Sequence, residues 1–179
     1  MHRMDGEPSF RLFAEARRRG RTTTLDVFAA TRDDMRLVAG LLPNTDYFMP
    51  SIEEARALSG LTDVADTAKF FLDSGVRCCV LTLGGDGAYY HHRNGDRFLM
   101  PGFAVDVVCT CGCGDVFNAG IATAIVKGLD PESMVRLAQA TSALNATGLG
   151  SQAGVATYEA TLAFMRSTPT RPSTVRVGP

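Results

Sequence analysis

The stretch Cys109-Thr-Cys-Gly-Cys-Gly-Asp115-Val-Phe-Asn-Ala-Gly120 holds residue types that could do chemistry. A strand is expected to enter it and a helix rich in small residues to leave it. Gly112 and Gly114 permit backbone torsions that other residues resist and let the main chain approach a ligand closely. The N–H groups of Gly112, Cys113, Gly114 and Asp115 would then face outward at a helix N-terminus. Free donors and the helix dipole favour an anion there. A phosphate group whose charge builds up during transfer is the natural one. A carboxylate in that place needs a reason, because Asp115 would repel a phosphate. A general base that takes a proton from an attacking hydroxyl belongs there. An Asp that merely caps the helix fits the residues equally well.

Two other stretches carry candidate groups. Thr82-Leu-Gly84-Gly-Asp-Gly87 is a glycine loop, or an ordinary turn from a strand into a hairpin. In Pro50-Ser51-Ile-Glu-Glu54, Ser51 and Glu54 have the spacing of a capping box. Of the five cysteines, Cys109, Cys111 and Cys113 alternate along the chain. Structural zinc sites use C-x2–4-C pairs with a second pair or histidines downstream. No second pair follows here, and His91 and His92 lie upstream. Small buried residues beside a tight turn are the better reading, and an odd count argues against a disulfide framework.

These groups need a scaffold, and the patterning supplies one. Ser9–Arg19 reads as a helix, Thr22–Phe28 as a buried strand, Arg32–Leu42 as a helix stopped by Pro43 and Tyr47–Met49 as a short strand. Helices follow from Ser51 to Leu58 and from Asp63 to Ser74. Arg77–Leu83 is a continuous apolar strand of the kind found inside a parallel sheet. Ala88–His92 and Arg97–Met100 form a hairpin through Asn94-Gly95. Ala104–Val108 reads as a strand. Helices then run over Gly114–Lys127, Pro131–Asn145, with Asp130 as its cap, and Thr157–Arg166. Residues 1–166 are expected to be one α/β domain with a parallel sheet covered on both faces. Residues 167–179, rich in Pro, Thr, Ser and Arg, are expected to form a disordered tail. Ligands of such sheets sit at the carboxyl ends of the strands, after Met49, Leu83 and Val108.

The 109–117 stretch resembles the D-T-T-G-A-G-D-x-F signature of the PfkB (ribokinase-like) carbohydrate kinase family. The resemblance implies a ribokinase-like α/β sandwich that transfers phosphate from ATP to a hydroxyl of a sugar or related small alcohol. It implies Asp115 as catalytic base and Gly112, Cys113 and Gly114 as the anion hole. The loop with Thr82, Gly84 and Gly87 is similar to the family's T-L-G-x-x-G, which borders the ATP phosphates. Ser51 and Glu54 match its N-x-x-E, which puts Ser51 beside the phosphates and gives Glu54 a Mg2+ role through water. Gln139 falls on the helix that borders adenine. Asn145, Gly148 and Gly150, with Cys109, match positions around a monovalent cation such as K+. Cys109 and Cys111 replace Asp and Thr there, and a thiol is a poor ligand for a hard cation.

The resemblance runs from about Ser9 to Met165 and covers the C-terminal portion of the family fold. The N-terminal part that supplies the sugar pocket and lid is expected to be missing, so weak or no turnover is expected of the chain alone. Family members often pair through that lid, a route this chain is expected to lack. A non-catalytic nucleotide-binding or interaction module is the rival reading. A dinucleotide-dependent dehydrogenase would need G-x-G-x-x-G soon after the first strand, and the chain has none. A net charge of -1 gives no nucleic-acid surface, and no apolar run is long enough for a membrane span. Met1–Pro8 is polar, without the apolar core of a signal peptide, so the cytoplasm is the expected location.

Overall fold

The computed structural model describes residues 6–177, so the expectation for Met1–Asp5 and the last two tail residues lies outside them. The described chain forms two compact units. Residues 6–81 and 89–98, with Val177, make the first, and residues 82–88 and 99–176 the second.

In the first unit, α1 (Gly6–Arg18), α2 (Met35–Leu41), α3 (Ile52–Ser59) and α4 (Val64–Asp73) accompany a sheet. Its strands are β1 (Thr24–Leu25), β2 (Tyr47–Phe48), β3 (Cys78–Thr82), β4 (Ala88–His92) and β5 (Arg97–Met100), in that spatial order. The first three are parallel, with Thr24 opposite Tyr47 and Tyr47 opposite Cys78. The Asn94-Gly95 hairpin forms as its residues demand: Gly95 has φ 100° and the His92 N–H donates to the Asp96 carbonyl at 2.8 Å. The sheet is therefore mixed rather than wholly parallel.

β1 is much shorter than the expected Thr22–Phe28. Polar side chains capture donors the ladder would need. The Thr23 N–H donates to the Asp46 carboxylate at 3.0 Å, and the Val27 N–H to the Asp26 carboxylate at 2.8 Å. Ala29 then turns the chain at φ 49°. The Ser51–Glu54 capping box is present: Ser51 Oγ accepts from the Glu54 N–H at 3.2 Å, and Glu54 accepts from the Ser51 N–H at 3.0 Å.

Cys78, Cys79, Val80 and Leu81 are fully buried in β3. Burial pushes the Cys78 thiol up to about 12, against which a hydrogen bond with Tyr90 pulls weakly, and raises the Cys79 thiol well above its ordinary 9.0. An unfolded chain sheds these protons first, so it binds fewer protons than the folded one above pH 9. Stability should be fully present below that pH and fall between pH 9 and 12, by up to about 1.4 kcal/mol per pH unit for each thiol. Urea denaturation at pH 8, 10 and 11 checks this, and Cys79→Ser should flatten the slope.

The second unit holds α5 (Cys113–Lys127), α6 (Pro131–Ala146) and α7 (Tyr158–Ser167). Asp130 caps α6 through the Ser133 N–H at 3.0 Å, with Pro131 in its first turn. α5 and α6 meet backbone to backbone: a Cβ on Gly120 would lie 2.6 Å from Ala138 Cα, and Thr141 Oγ1 donates to the Val116 carbonyl at 2.8 Å. This seam fixes where the N-terminus of α5 points.

Ala104–Val108 is not a strand. Its donors find partners outside any ladder: Ala104 N–H donates to the Pro169 carbonyl at 2.8 Å, and Val108 N–H to the Ala146 carbonyl at 2.8 Å. The expectation of a disordered tail also differs from the structure up to Val177. Thr170 makes an antiparallel bridge with Phe103, Arg171 N–H donates to the Gly102 carbonyl at 2.9 Å, and Thr174 binds the Asp86 carboxylate. No described helix is long and apolar enough to cross a membrane.

Candidate active site

The turn before α5 is built around Gly112, the N-cap, at φ 70° and ψ 4°. A side chain there would run into the Ser151 carbonyl, so both torsion and space require glycine. Because Gly112 is the cap and no side chain caps this helix, Asp115 is not a capping residue. It stands one turn in, with its carboxylate exposed.

Three of the four expected amide donors remain. The Cys113 N–H is spent on the Thr110 carbonyl at 3.2 Å. Among the described residues the N–H groups of Gly112, Gly114 and Asp115 have no protein partner. They sit at the positive end of a 15-residue helix.

A cavity of about 190 Å3 opens beside this turn. Gly114, Cys113 and Thr110 line one part, and Thr82, Gly84 and Gly87 another. Gly87 has φ 107°, and a Cβ on it would collide with the Met100 carbonyl. The chain thus lies flat against its neighbours, which leaves the space above the turn open. Phe103, Val107 and Phe117 add apolar wall.

Gln139 lines the same cavity and is 6% exposed. Its Nε2 donates to the Met100 carbonyl at 3.0 Å, which fixes the amide orientation. Its Oε1 is buried with no partner. A buried acceptor left alone costs free energy, and a ligand that offers an N–H would satisfy it.

Asn145 is fully buried and clamps the turn. Its Nδ2 donates to the Cys111 carbonyl at 2.9 Å, and its Oδ1 accepts from the Gly154 N–H at 3.4 Å. The 148–154 loop, with Gly148 and with Gly150 at φ 123°, is thereby held on the Cys109–Cys113 turn. The Cys109 thiol is held below its ordinary value by hydrogen bonds from Cys111, side chain first and N–H second, and from Gly150. The Cys111 thiol, donor to Cys109, is raised. An alkylating agent at neutral pH should therefore label Cys109 ahead of Cys111. It should leave Cys78 and Cys79 about a hundredfold slower until the chain unfolds, which peptide mapping by mass spectrometry reads out.

Ser51 and Glu54 belong to the first unit. Both Glu54 oxygens already accept protein donors, Oε2 from Ser51 Oγ at 2.7 Å and Oε1 from the Ala29 N–H at 2.8 Å. A carboxylate has about four lone-pair sites, so Glu54 keeps acceptor capacity for metal-bound water. That fits a water-mediated Mg2+ contact and not a protein cage.

The sequence reading missed Arg171, whose side chain lines the cavity. It also missed the wall residues Phe103, Val107 and Phe117. Only Phe117 carried a signal, as the aromatic two positions after Asp115.

Residues 3–157 match the pattern described as pfkB family carbohydrate kinase. The chain is 33% identical over 131 residues to a ribokinase of Haemophilus influenzae, which covers 70% of this chain and 42% of that protein. It is 33% identical over 129 residues to a 2-dehydro-3-deoxygluconokinase of Bacillus subtilis, covering 72% and 39%. The crystal structure of a ribokinase from Thermotoga maritima superimposes with a TM-score of 0.75 at 29% identity, over 87% of this chain and 52% of that one. The chain spans about half the length, or less, of these relatives. With a match across more than half its length and a ribokinase-like fold, this chain belongs to the pfkB family of carbohydrate kinases.

Proposed function

We propose that the chain carries the nucleotide-binding and catalytic part of an ATP-dependent kinase that phosphorylates a hydroxyl of a sugar or related small alcohol. The observation that carries this reading is a single cavity. The Thr82–Gly87 turn, the N-terminus of α5 and the partnerless carbonyl of Gln139 all line or adjoin it. Glycine turns leave room for phosphates, the α5 amides meet their charge, and Gln139 Oε1 accepts from the exocyclic amine of adenine.

Asp115 takes the proton of the acceptor hydroxyl as that oxygen bonds to the γ-phosphorus. The bond from phosphorus to the bridging oxygen breaks, and ADP leaves. The amides of Gly112 and Gly114 stabilise the charge on the transferred group. Glu54, in the first unit, would hold Mg2+ through water. A monovalent cation would have to rest on the carbonyls of the Asn145–Gly150 turn, since Cys109 brings a thiol. The two curated relatives are named for different acceptors.

A second reading is a nucleotide-binding module without turnover. Cys109 and Cys111, where the family signature has Asp and Thr, favour it. Calorimetric titration with Mg·ATP, followed by a sugar and polyol panel, separates the two. Binding with any acceptor-dependent ADP release supports the kinase. Binding without it supports the module, and absence of binding defeats both.

A further inference from the structure

The tail after α7 is pinned on both sides of Arg171. Upstream, Thr170 pairs with Phe103, and the Pro169 carbonyl accepts from Ala104. At Arg171 itself the N–H donates to the Gly102 carbonyl. Downstream, the Thr174 N–H and hydroxyl donate to one Asp86 oxygen at 2.6 and 2.9 Å. The side chain between these anchors is aimed by them. Its guanidinium lies on Gly85, where a Cβ would come within 2.9 Å of Nη1.

Arg171 is the one cationic side chain among the described residues that line the cavity. Its Nε is buried and has no hydrogen-bond partner. Asp86 is near enough to feel the charge, but Thr174 occupies its carboxylate. A desolvated, charged donor left open is costly unless something arrives to accept from it. A triphosphate brings several negative charges to a cavity that has no lysine.

We propose that Arg171 is an anion-binding residue of this cavity, its guanidinium donating to a phosphate oxygen of the bound nucleotide. The tail after α7 thereby completes the phosphate site that the Gly84–Gly87 turn and the start of α5 begin. This rests on the reading of the cavity as a nucleotide site. The assignment to phosphate and not to the base follows from the surroundings. The guanidinium lies on a bare glycine turn, while Gln139 supplies the acceptor suited to a base.

The test is titration of the wild-type chain, R171A and R171K with Mg·ATP and, separately, with adenosine. R171A should bind Mg·ATP about tenfold to a hundredfold more weakly, as expected for one charge-assisted hydrogen bond to phosphate. R171K, which keeps the charge and loses the fork, should fall between. Adenosine, which has no phosphate, should bind all three alike. Unchanged or tighter Mg·ATP binding by R171A would mean that the tail only covers the cavity, and overturns the proposal. An equal loss for ATP and adenosine would mean a structural role and also overturns it. A wild-type chain that binds neither ligand sinks the nucleotide reading itself, whereas equal binding by all variants sinks only Arg171. Far-UV circular dichroism confirms folding, and R171K decides the matter if R171A does not fold.

Discussion

Asp115→Asn is expected to leave the chain folded, to tighten Mg·ATP binding about threefold to tenfold, and to remove phosphoryl transfer. The three effects have one cause. The carboxylate is exposed on the first turn of α5, and Gly112 and not Asp115 caps the helix. Its loss therefore removes no cap, and the melting temperature should move by less than about 2 °C, in contrast to the roughly 1 kcal/mol that loss of a capping residue costs. A full negative charge near a triphosphate opposes binding by about 1 kcal/mol at solvent-like dielectric, which gives the expected tightening. Transfer needs a proton acceptor, and an amide is not one. Whatever acceptor-dependent rate the wild-type chain supports should fall by about 10²–10⁴-fold. Calorimetry and an ADP-release assay on the same preparations read both numbers. Weaker nucleotide binding in the variant would place Asp115 among the ligands of the nucleotide instead, and unchanged transfer would remove it from the mechanism.

Gly87→Ala is expected to be strongly damaging to the second unit. At φ 107° an L-residue is strained, which costs about 1–3 kcal/mol. The added Cβ also meets the Met100 carbonyl, Gly102 N at 2.8 Å and Gln139 Nε2 at 2.9 Å. Two of those three are backbone and cannot swing aside. Displacing them breaks the Gln139–Met100 bond that orients the free Oε1. A fall in melting temperature of about 5–10 °C is expected, together with loss of detectable Mg·ATP binding. Gly84→Ala is the control. Gly84 also has positive φ, at 56°, but nothing lies within 4 Å of its missing Cβ. It should cost about 1 kcal/mol and keep binding. Equal effects from the two substitutions would show that torsion alone, and not the contacts beneath the turn, sets the cost.

The sequence displayed those parts of the fold that rest on local chemistry. Asn94-Gly95 announces its hairpin because only such residues take the turn. Asp130 with Pro131, and Ser51 with Glu54, announce helix starts because they satisfy the donors those starts leave open. Gly112 and Gly87 are visible because φ at those points excludes side chains. What stayed hidden depends on partners far along the chain. Ala104–Val108 has strand-like residues, yet its N–H groups bond Pro169 and Ala146. The tail has the composition of a disordered segment, yet Phe103 and Gly102 order it. Arg171 was invisible for the same reason, since no periodicity marks a side chain aimed by contacts dozens of residues away. The Cys113 amide was expected to be free because a glycine-rich turn suggests open donors. Only the structure places it on Thr110.

The Phe103–Thr170 bridge and the Gly102–Arg171 hydrogen bond have a consequence for how the second unit can be handled as material. They bring the segment that enters α5–α7 and the segment that leaves it side by side. Residues 102–171 thus already form a closed loop, so joining those ends costs little chain entropy, while residues 82–88 of the same unit must be carried along in any excised or permuted form. The 148–154 loop, exposed over much of its length, offers a place to open a permuted chain, and its anchor at Asn145 sets the limit.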